Sequence, residues 1–307
     1  MHRFINAMPF FLHTILTCLF LMGDRIPFLF FLTEILLLVS AAWLYLTRET
    51  KASIFVLAMT ILVFILSGGG LVMEISYATH CFSGLLFGYF IHRGYSYLNL
   101  LICSSLIMLA GQIVFYAIQP ELYQQVITEI LRVVERSSRI LTAGIKNPEE
   151  LQSFQQIVSK LSEFYTQTLF LFQFVEYFFK SGLILLIFLN FIKKSRPDLY
   201  RPLRFSELSL YENWFWMFLL SLALQIIFTG PWFQIGLNLM MIILFCYFVL
   251  GISLIVFLIR RQKINRLMIA MLILFLIFFQ PFSLLMTSLI GVSDYFMKWR
   301  LRINPTL

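Results

Sequence analysis

The sequence predicts an all-α membrane protein, a bundle of eight or nine membrane-spanning helices with a helical hairpin between spans five and six. Of its 307 residues, 60% are hydrophobic and only 12% are charged, whereas a soluble domain carries about 25% charged residues. The apolar residues lie in stretches that approach the roughly 20 residues needed to cross a bilayer. One long polar segment, residues 119–164, interrupts these stretches.

Taken in order, the apolar stretches give nine candidate spans. They are residues 8–22, 27–46, 52–67, 70–91, 95–118, 165–192, 213–229, 233–259 and 267–290. The first and third stretches are short, so we expect either of them to be tilted, shallow or re-entrant if it does not cross fully.

The polar segment 119–164 is typical of two amphipathic helices. Its apolar residues recur at helical spacing with Glu and Arg between them. Asn147, followed by Pro148 and two glutamates, is typical of a helix start. The hairpin is expected at the membrane surface, either as a connector lying on lipid or as a lid over the mouth of the bundle.

The distribution of Lys and Arg predicts the orientation. Loops on the N-terminal side carry more of these residues, so the N-terminus is expected in the cytoplasm, at the bacterial cytoplasmic (inner) membrane. The net charge of +8 is explained by these loops and gives no indication of nucleic-acid binding. With nine spans the basic C-terminal segment 298–302 falls outside, which conflicts with the rule. Eight spans plus one re-entrant segment would remove this conflict.

The basic loop 193–213 is the predicted boundary between two membrane blocks. Residues 1–194 would form a six-span block that includes the hairpin, and residues 195–307 would form a three-span block.

The fourth span carries small and polar residues that a plain anchor does not need. One helical stripe holds Gly70, Glu74, Tyr77, Cys81, Gly84 and Gly88, each three or four residues beyond the last. Gly84 and Gly88 form a G-x-x-x-G pair, which allows close helix packing in lipid. Gly70 and Gly251 are further expected packing positions. The Glu74 carboxylate is costly in a membrane, so we expect it to face protein or a water-filled cavity.

Polar residues in other spans complete a candidate ligand-binding set. The set consists of Glu34, Glu74, His80 and Gln112. Two carboxylates that face one cavity are the chemistry of a proton relay or a cation site. The alternative is that each carboxylate only accepts hydrogen bonds from neighbouring helices. Glu176 and Lys180 are four residues apart, so they are expected to pair along their own helix.

No enzymatic motif is visible in the sequence. It contains no P-loop, dinucleotide-binding fingerprint, zinc-protease motif or Ser-His-Asp arrangement. The histidines lack metal-ligand spacing, and the four cysteines lie in apolar spans without a C-x-x-C pair. We therefore expect no catalytic residue, no metal and no cofactor.

The C-terminal block contains short motifs with a family resemblance. Its eighth span opens on Asn238, passes through Gly251 and exits at Arg260-Arg261, and the tail places Gly291, Asp294 and Arg300 in series. This series resembles the YybS-like family of bacterial multi-spanning membrane proteins. The resemblance covers most of the chain, including the Gly-Leu-Leu-Phe-Gly end of the fourth span.

The resemblance implies a site inside the membrane. The first six spans of that family are similar to the substrate-binding components of energy-coupling-factor vitamin transporters, which hold a small molecule beneath outer loops. The first span here, MPFFLHTILTCLFLM, departs from such components because it lacks the Ala-x-x-x-Ala stripe with which they dock on their energising partner.

Two functional interpretations remain open at this point. The leading one is a transporter-like membrane protein, with the lipid bilayer and a small-molecule ligand as its partners. In that interpretation the stripe and Glu74 would line the site, and the hairpin would cover it. The alternative is a non-transport scaffold that binds an envelope or division partner through its loops, in which case the glycine stripe serves helix packing alone. A membrane enzyme acting on lipid ranks third.

Overall fold

In the computed structural model, the described residues are 2–22, 27–66, 71–142, 147–211, 213–262, 270–271, 274, 278 and 280–303. Within these ranges the chain forms eleven α-helices and one short 3₁₀ helix, and it forms no β-strand. The α-helices are α1 (His2–Met22), α2 (Pro27–Leu66), α3 (Leu71–Arg93), α4 (Tyr97–Ile118), α5 (Pro120–Thr142), α6 (Pro148–Gln167), α7 (Leu169–Ser195), α8 (Asn213–Ile227), α9 (Pro231–Gln262), α10 (Gln280–Met297) and α11 (Trp299–Ile303).

The all-helical prediction is confirmed. Among the described helices, α4, α7 and the Pro231–Arg261 part of α9 are long and apolar enough to cross a membrane. Shorter apolar stretches in α1, α2, α8 and α10 accompany them.

The α2 helix covers two stretches that the sequence presented as separate spans, and it cannot be straight. The Nδ1 atom of His13 lies 2.7 Å from the Ser40 hydroxyl, and its ring centroid lies 6.0 Å from that of Phe55. Fifteen residues of straight helix would separate these two positions by about 22 Å, which is more than one imidazole can bridge. The helix is therefore sharply bent between Ser40 and Phe55, so that both of its arms pack beside α1.

One of the two apolar clusters among the described residues runs through both of the predicted blocks. It joins Leu38, Phe87 and Phe188 of the first block to Cys246 and Leu250 of the second. Because these side chains are buried in the same cluster, the basic loop after α7 does not separate two independent cores.

The α9 and α10 helices touch backbone to backbone at Gly251 and Gly291. A Cβ atom at Gly251 would overlap the Thr287 carbonyl, and one at Gly291 would overlap the Tyr247 carbonyl. The Ser288 hydroxyl also donates to the Leu244 carbonyl at 3.0 Å. The pairs Leu244–Ser288 and Tyr247–Gly291 advance together, and Arg300, just beyond α10, donates to Ser253 further along α9. The two helices are therefore parallel and end at the same end of the bundle.

Residues 196–211 cross that end of the bundle as a strap. Arg201 donates to the Gly94 carbonyl (3.1 Å) and Ser253 to the Phe205 carbonyl (2.5 Å). Arg300 donates to the Leu208 carbonyl. The C-terminal segment therefore lies at the same end as the basic loop, not opposite to it as a count of nine spans required.

The α5 and α6 helices lie at the other end, because they connect the end of α4 to the start of α7. The expected start of α6 is present, since the Asn147 side chain accepts from the Glu149 backbone N–H at 3.0 Å. At the junction of α6 and α7, Asn238 of α9 donates to the Gln167 carbonyl at 2.6 Å and accepts from the Leu171 N–H at 3.2 Å.

Candidate functional site

A cavity of about 310 Å³ lies where α2, α3, α4 and α7 meet. Its volume is at the small end of the range for ligand sites. The lining residues are Glu34, Ile75, Ser76, Thr79, His80, Met108, Gly111, Gln112, Phe115, Glu176, Tyr177 and Lys180.

An ion pair between distant parts of the chain forms the polar wall. Lys180 Nζ lies 2.8 Å from Glu34 Oε2, and each side chain is only 11% exposed. The Ser76 hydroxyl donates to Glu34 Oε1 at 2.7 Å. Both oxygens of the carboxylate are therefore hydrogen-bonded, as burial of a charge requires.

His80 completes this wall as a neutral imidazole. Its Nδ1 lies 2.7 Å from the Ser76 carbonyl, which can only accept, so Nδ1 carries the proton. Its Nε2 lies 3.1 Å from Lys180 Nζ and accepts from that ammonium group. His80 thus orients Lys180 without adding a charge of its own.

The local sequence explains why these side chains converge. On α7, Glu176 and Lys180 lie one turn apart on the same face. On α4, Gly111 brings the backbone close to α3, because a Cβ at this position would overlap the Thr79 side chain. The Tyr177 hydroxyl then donates to Gln112 Oε1 at 3.1 Å and connects α7 to α4.

The cavity carries an excess of negative charge. The charges of Glu34 and Lys180 cancel, and the His80 ring is neutral. Glu176 is exposed and has no hydrogen bond or ion pair within the described part of the chain. With Phe115 and Tyr177 as aromatic walls, the arrangement favours a positively charged guest.

Three of the four predicted ligand-binding residues line this cavity, namely Glu34, His80 and Gln112. Glu74 is buried, at 8% exposure, but it is not among the lining residues. The glycine stripe and Glu74 therefore do not line this cavity, which lies on a neighbouring face of α3.

The stripe itself faces α1 and α2. The Tyr77 hydroxyl lies 2.9 Å from Thr17 Oγ1 and 3.2 Å from His13 Nε2, with Cys81 beside them. Below this cluster, Gly84 allows the α3 backbone to approach the Leu38 carbonyl.

The remaining predicted packing glycines have different surroundings. Gly88 lies against Ala42 and Tyr45. Gly70 lies outside the described residues.

Lys180 is the cavity-lining residue whose partner the sequence analysis predicted wrongly. Its spacing from Glu176 suggested a pair within one helix, whereas the structure pairs it with Glu34 of α2. The signal that could have identified it was the presence of one lysine beside several carboxylates at membrane depth.

The motif residues of the C-terminal block make structural contacts away from the cavity. The Arg300 guanidinium lies 3.1 Å from the Asp294 carboxylate and donates to the Ser253 hydroxyl at 3.0 Å. Asn238 holds the junction of α6 and α7, and Gly291 packs on α9. Within the described residues, no group of three or more His, Cys, Asp or Glu side chains is placed to hold a metal ion.

Comparison with known proteins gives one match. A family model described as "Predicted membrane protein (DUF2232)" matches residues 13–295. No curated protein and no solved structure matches the chain significantly.

Proposed function

Because the chain belongs to the DUF2232 family of predicted membrane proteins, we propose that it acts within the bilayer and binds a small organic cation in the cavity between α2, α3, α4 and α7. The observation that carries this proposal is the enclosed polar wall of Glu34, Lys180 and His80 facing an exposed Glu176. A cation brought within about 4 Å of one carboxylate gains about 4 kcal/mol at the effective dielectric of partly buried sites. Displacement of water and ordering of the ligand reduce this gain.

We propose an arrangement of eight full spans plus one re-entrant segment, with the strap end in the cytoplasm. This orientation is supported by the positions of Arg93, Arg201, Arg204, Arg260 and Arg300, which all lie at the strap end. The α5 and α6 helices would then form a hairpin at the outer surface. Glu176 lies seven residues into α7, so the cavity is about 10 Å below that end.

We further propose that binding serves transport across the bacterial inner membrane. The resemblance of the first spans to transporter binding components supports this role. The depth of the cavity supports this role as well, because in the proposed orientation its mouth would lie nearer to the outer surface than to the strap.

The test uses the full-length protein in phosphatidylcholine nanodiscs and three four-carbon probes. Butylamine should raise the melting temperature saturably, whereas butanol and butyrate should not. Glu176→Gln removes the excess charge without breaking the Glu34–Lys180 pair, so it should abolish the shift. Glu163→Gln changes an exposed carboxylate of α6 that does not line the cavity, and it should leave the shift unchanged. An equal response to butyrate, or an unaltered response in Glu176→Gln, would overturn the proposal.

A further inference from the structure

A second, apolar groove adjoins the cation cavity along α7. Its volume is about 720 Å³, and it is enclosed by α5, α6 and the first turn of α7. The residues that form its apolar walls are Ile130, Val133, Val134, Leu141, Phe154, Ile157, Val158, Leu161, Tyr165, Leu169 and Phe172.

The walls of this groove are not covered by any described part of the chain. Neither α5 nor α6 has a buried residue, and Val133 and Ile157 are 61% and 55% exposed. The two helices are about 35 Å and 30 Å long. Two amphipathic helices that face each other without closing leave an apolar trough that needs an apolar occupant.

The groove and the cavity meet on one face of α7. Phe172 lines the groove, whereas Glu176 and Lys180 line the cavity. These residues are spaced four apart, so they follow each other along one face at intervals of about 6 Å. A single elongated molecule can therefore contact both.

The mouth of the cavity lies on the lipid-facing side of α7. Glu176 is exposed between Phe172 (41% exposed) and Phe179 (66%). The exposed apolar stripe continues to Leu183 and Leu186. A carboxylate on a lipid-facing stripe is costly unless it borders a polar opening. Glu176 therefore marks a lateral opening from the bilayer into the cavity.

We infer that the ligand is a single-chain amphiphile with a cationic head group. The head group enters the cavity beside Glu176, and the alkyl chain passes over Phe172 into the groove between α5 and α6. This inference rests on the proposed function, because it assigns the same cavity to the head group. The groove continues the lipid-facing surface of α7 beyond the hydrocarbon region, so it offers an alkyl chain a path out of the bilayer without exposure to water.

The probe is hexadecylamine with a diazirine near the end of its chain, added to the full-length protein in phosphatidylcholine nanodiscs. After irradiation, mass spectrometry should locate the label on the groove-facing residues of α5 and α6. Saturating butylamine added before irradiation should prevent this labelling, because the probe and butylamine use the same head-group site.

Two matched substitutions on α5 test the position of the chain. Val133→Asn places an amide in the groove and should reduce labelling at least threefold, without altering the butylamine shift. Ile140→Asn changes a residue that is 70% exposed but does not line the groove, and it should leave labelling unchanged.

Three results would overturn the inference: labels spread evenly over the lipid-facing helices, labelling that butylamine does not prevent, or equal effects of the two substitutions on labelling. A dimer that dissociates in Val133→Asn, seen by mass photometry, would assign the groove to a second copy of the chain and would also overturn it. If butylamine still raises the melting temperature in any of these cases, the proposed function stands and only the amphiphile is excluded. If butylamine has no effect, both fail.

Discussion

The ion pair between α2 and α7 should show a strong energetic coupling. Breaking a buried pair by removing one partner typically costs 3–5 kcal/mol, because the other charge stays buried. Glu34 and Lys180 are each 11% exposed, and Ser76 still donates to Glu34 after Lys180 is lost. We therefore expect Lys180→Met to lower the free energy of unfolding by about 3 kcal/mol, at the low end of that range. Combining it with Glu34→Gln should cost about 2 kcal/mol less than the sum of the single changes.

The assay is unfolding in mixed micelles titrated with dodecyl sulfate, followed by the fluorescence of the five tryptophans. Lys194→Met is the matched control, since this lysine is exposed near the end of the same helix, and it should change stability by less than about 0.5 kcal/mol. The reasoning is refuted if Lys180→Met is no more harmful than Lys194→Met, or if the two changes of the pair are additive.

Two further predictions concern packing and topology. Gly84→Leu should lower the melting temperature strongly, because any side chain at this position meets the Leu38 backbone. Gly182→Leu should be tolerated, because no atom lies within 4 Å of its Cβ position. Similar melting curves for both variants would contradict this prediction. In a cysteine-free background in intact cells, an impermeant maleimide should label Ser153→Cys but neither Ser195→Cys nor Arg302→Cys. If Arg302→Cys were labelled and Ser195→Cys were not, the two positions would not lie at the same end of the bundle.

The general class could be predicted from the sequence because it depends on sums and local patterns. Few charges and long apolar stretches are sufficient to indicate a helical membrane protein. The start of α6 was also predictable, because the Asn147 cap and the following proline act within one turn.

The site was only partly predictable because its contacts join distant parts of the chain. Glu34 and Lys180 are 146 residues apart, and helical spacing alone assigned Lys180 to Glu176. The face of α3 was misjudged for a related reason. Tyr77 and Glu74 share a stripe with Gly84, but no local pattern shows that α1 and α2 cover that stripe while His80 faces α7.

Counting the candidate spans could not predict that α9 and α10 run parallel. Hydropathy indicated a single ninth span after α9, but it gave no indication of how α10 packs. That packing depends on the backbones of α9 and α10 meeting at Gly251 and Gly291. The resulting position of the C-terminal segment at the strap removes the conflict with the positive-inside rule.

Calorimetric titration of butylamine into nanodiscs tests the central claim most directly. Relative to the wild type, Glu176→Gln makes the cavity neutral, whereas Lys180→Met removes the cation that pairs with Glu34 and leaves two carboxylates at the cavity. If the cavity binds organic cations, butylamine should bind at least tenfold more weakly to Glu176→Gln and at least tenfold more tightly to Lys180→Met, which corresponds to about 1.4 kcal/mol in each direction. Affinities that move in the same direction in both variants, or that do not change, would contradict the account.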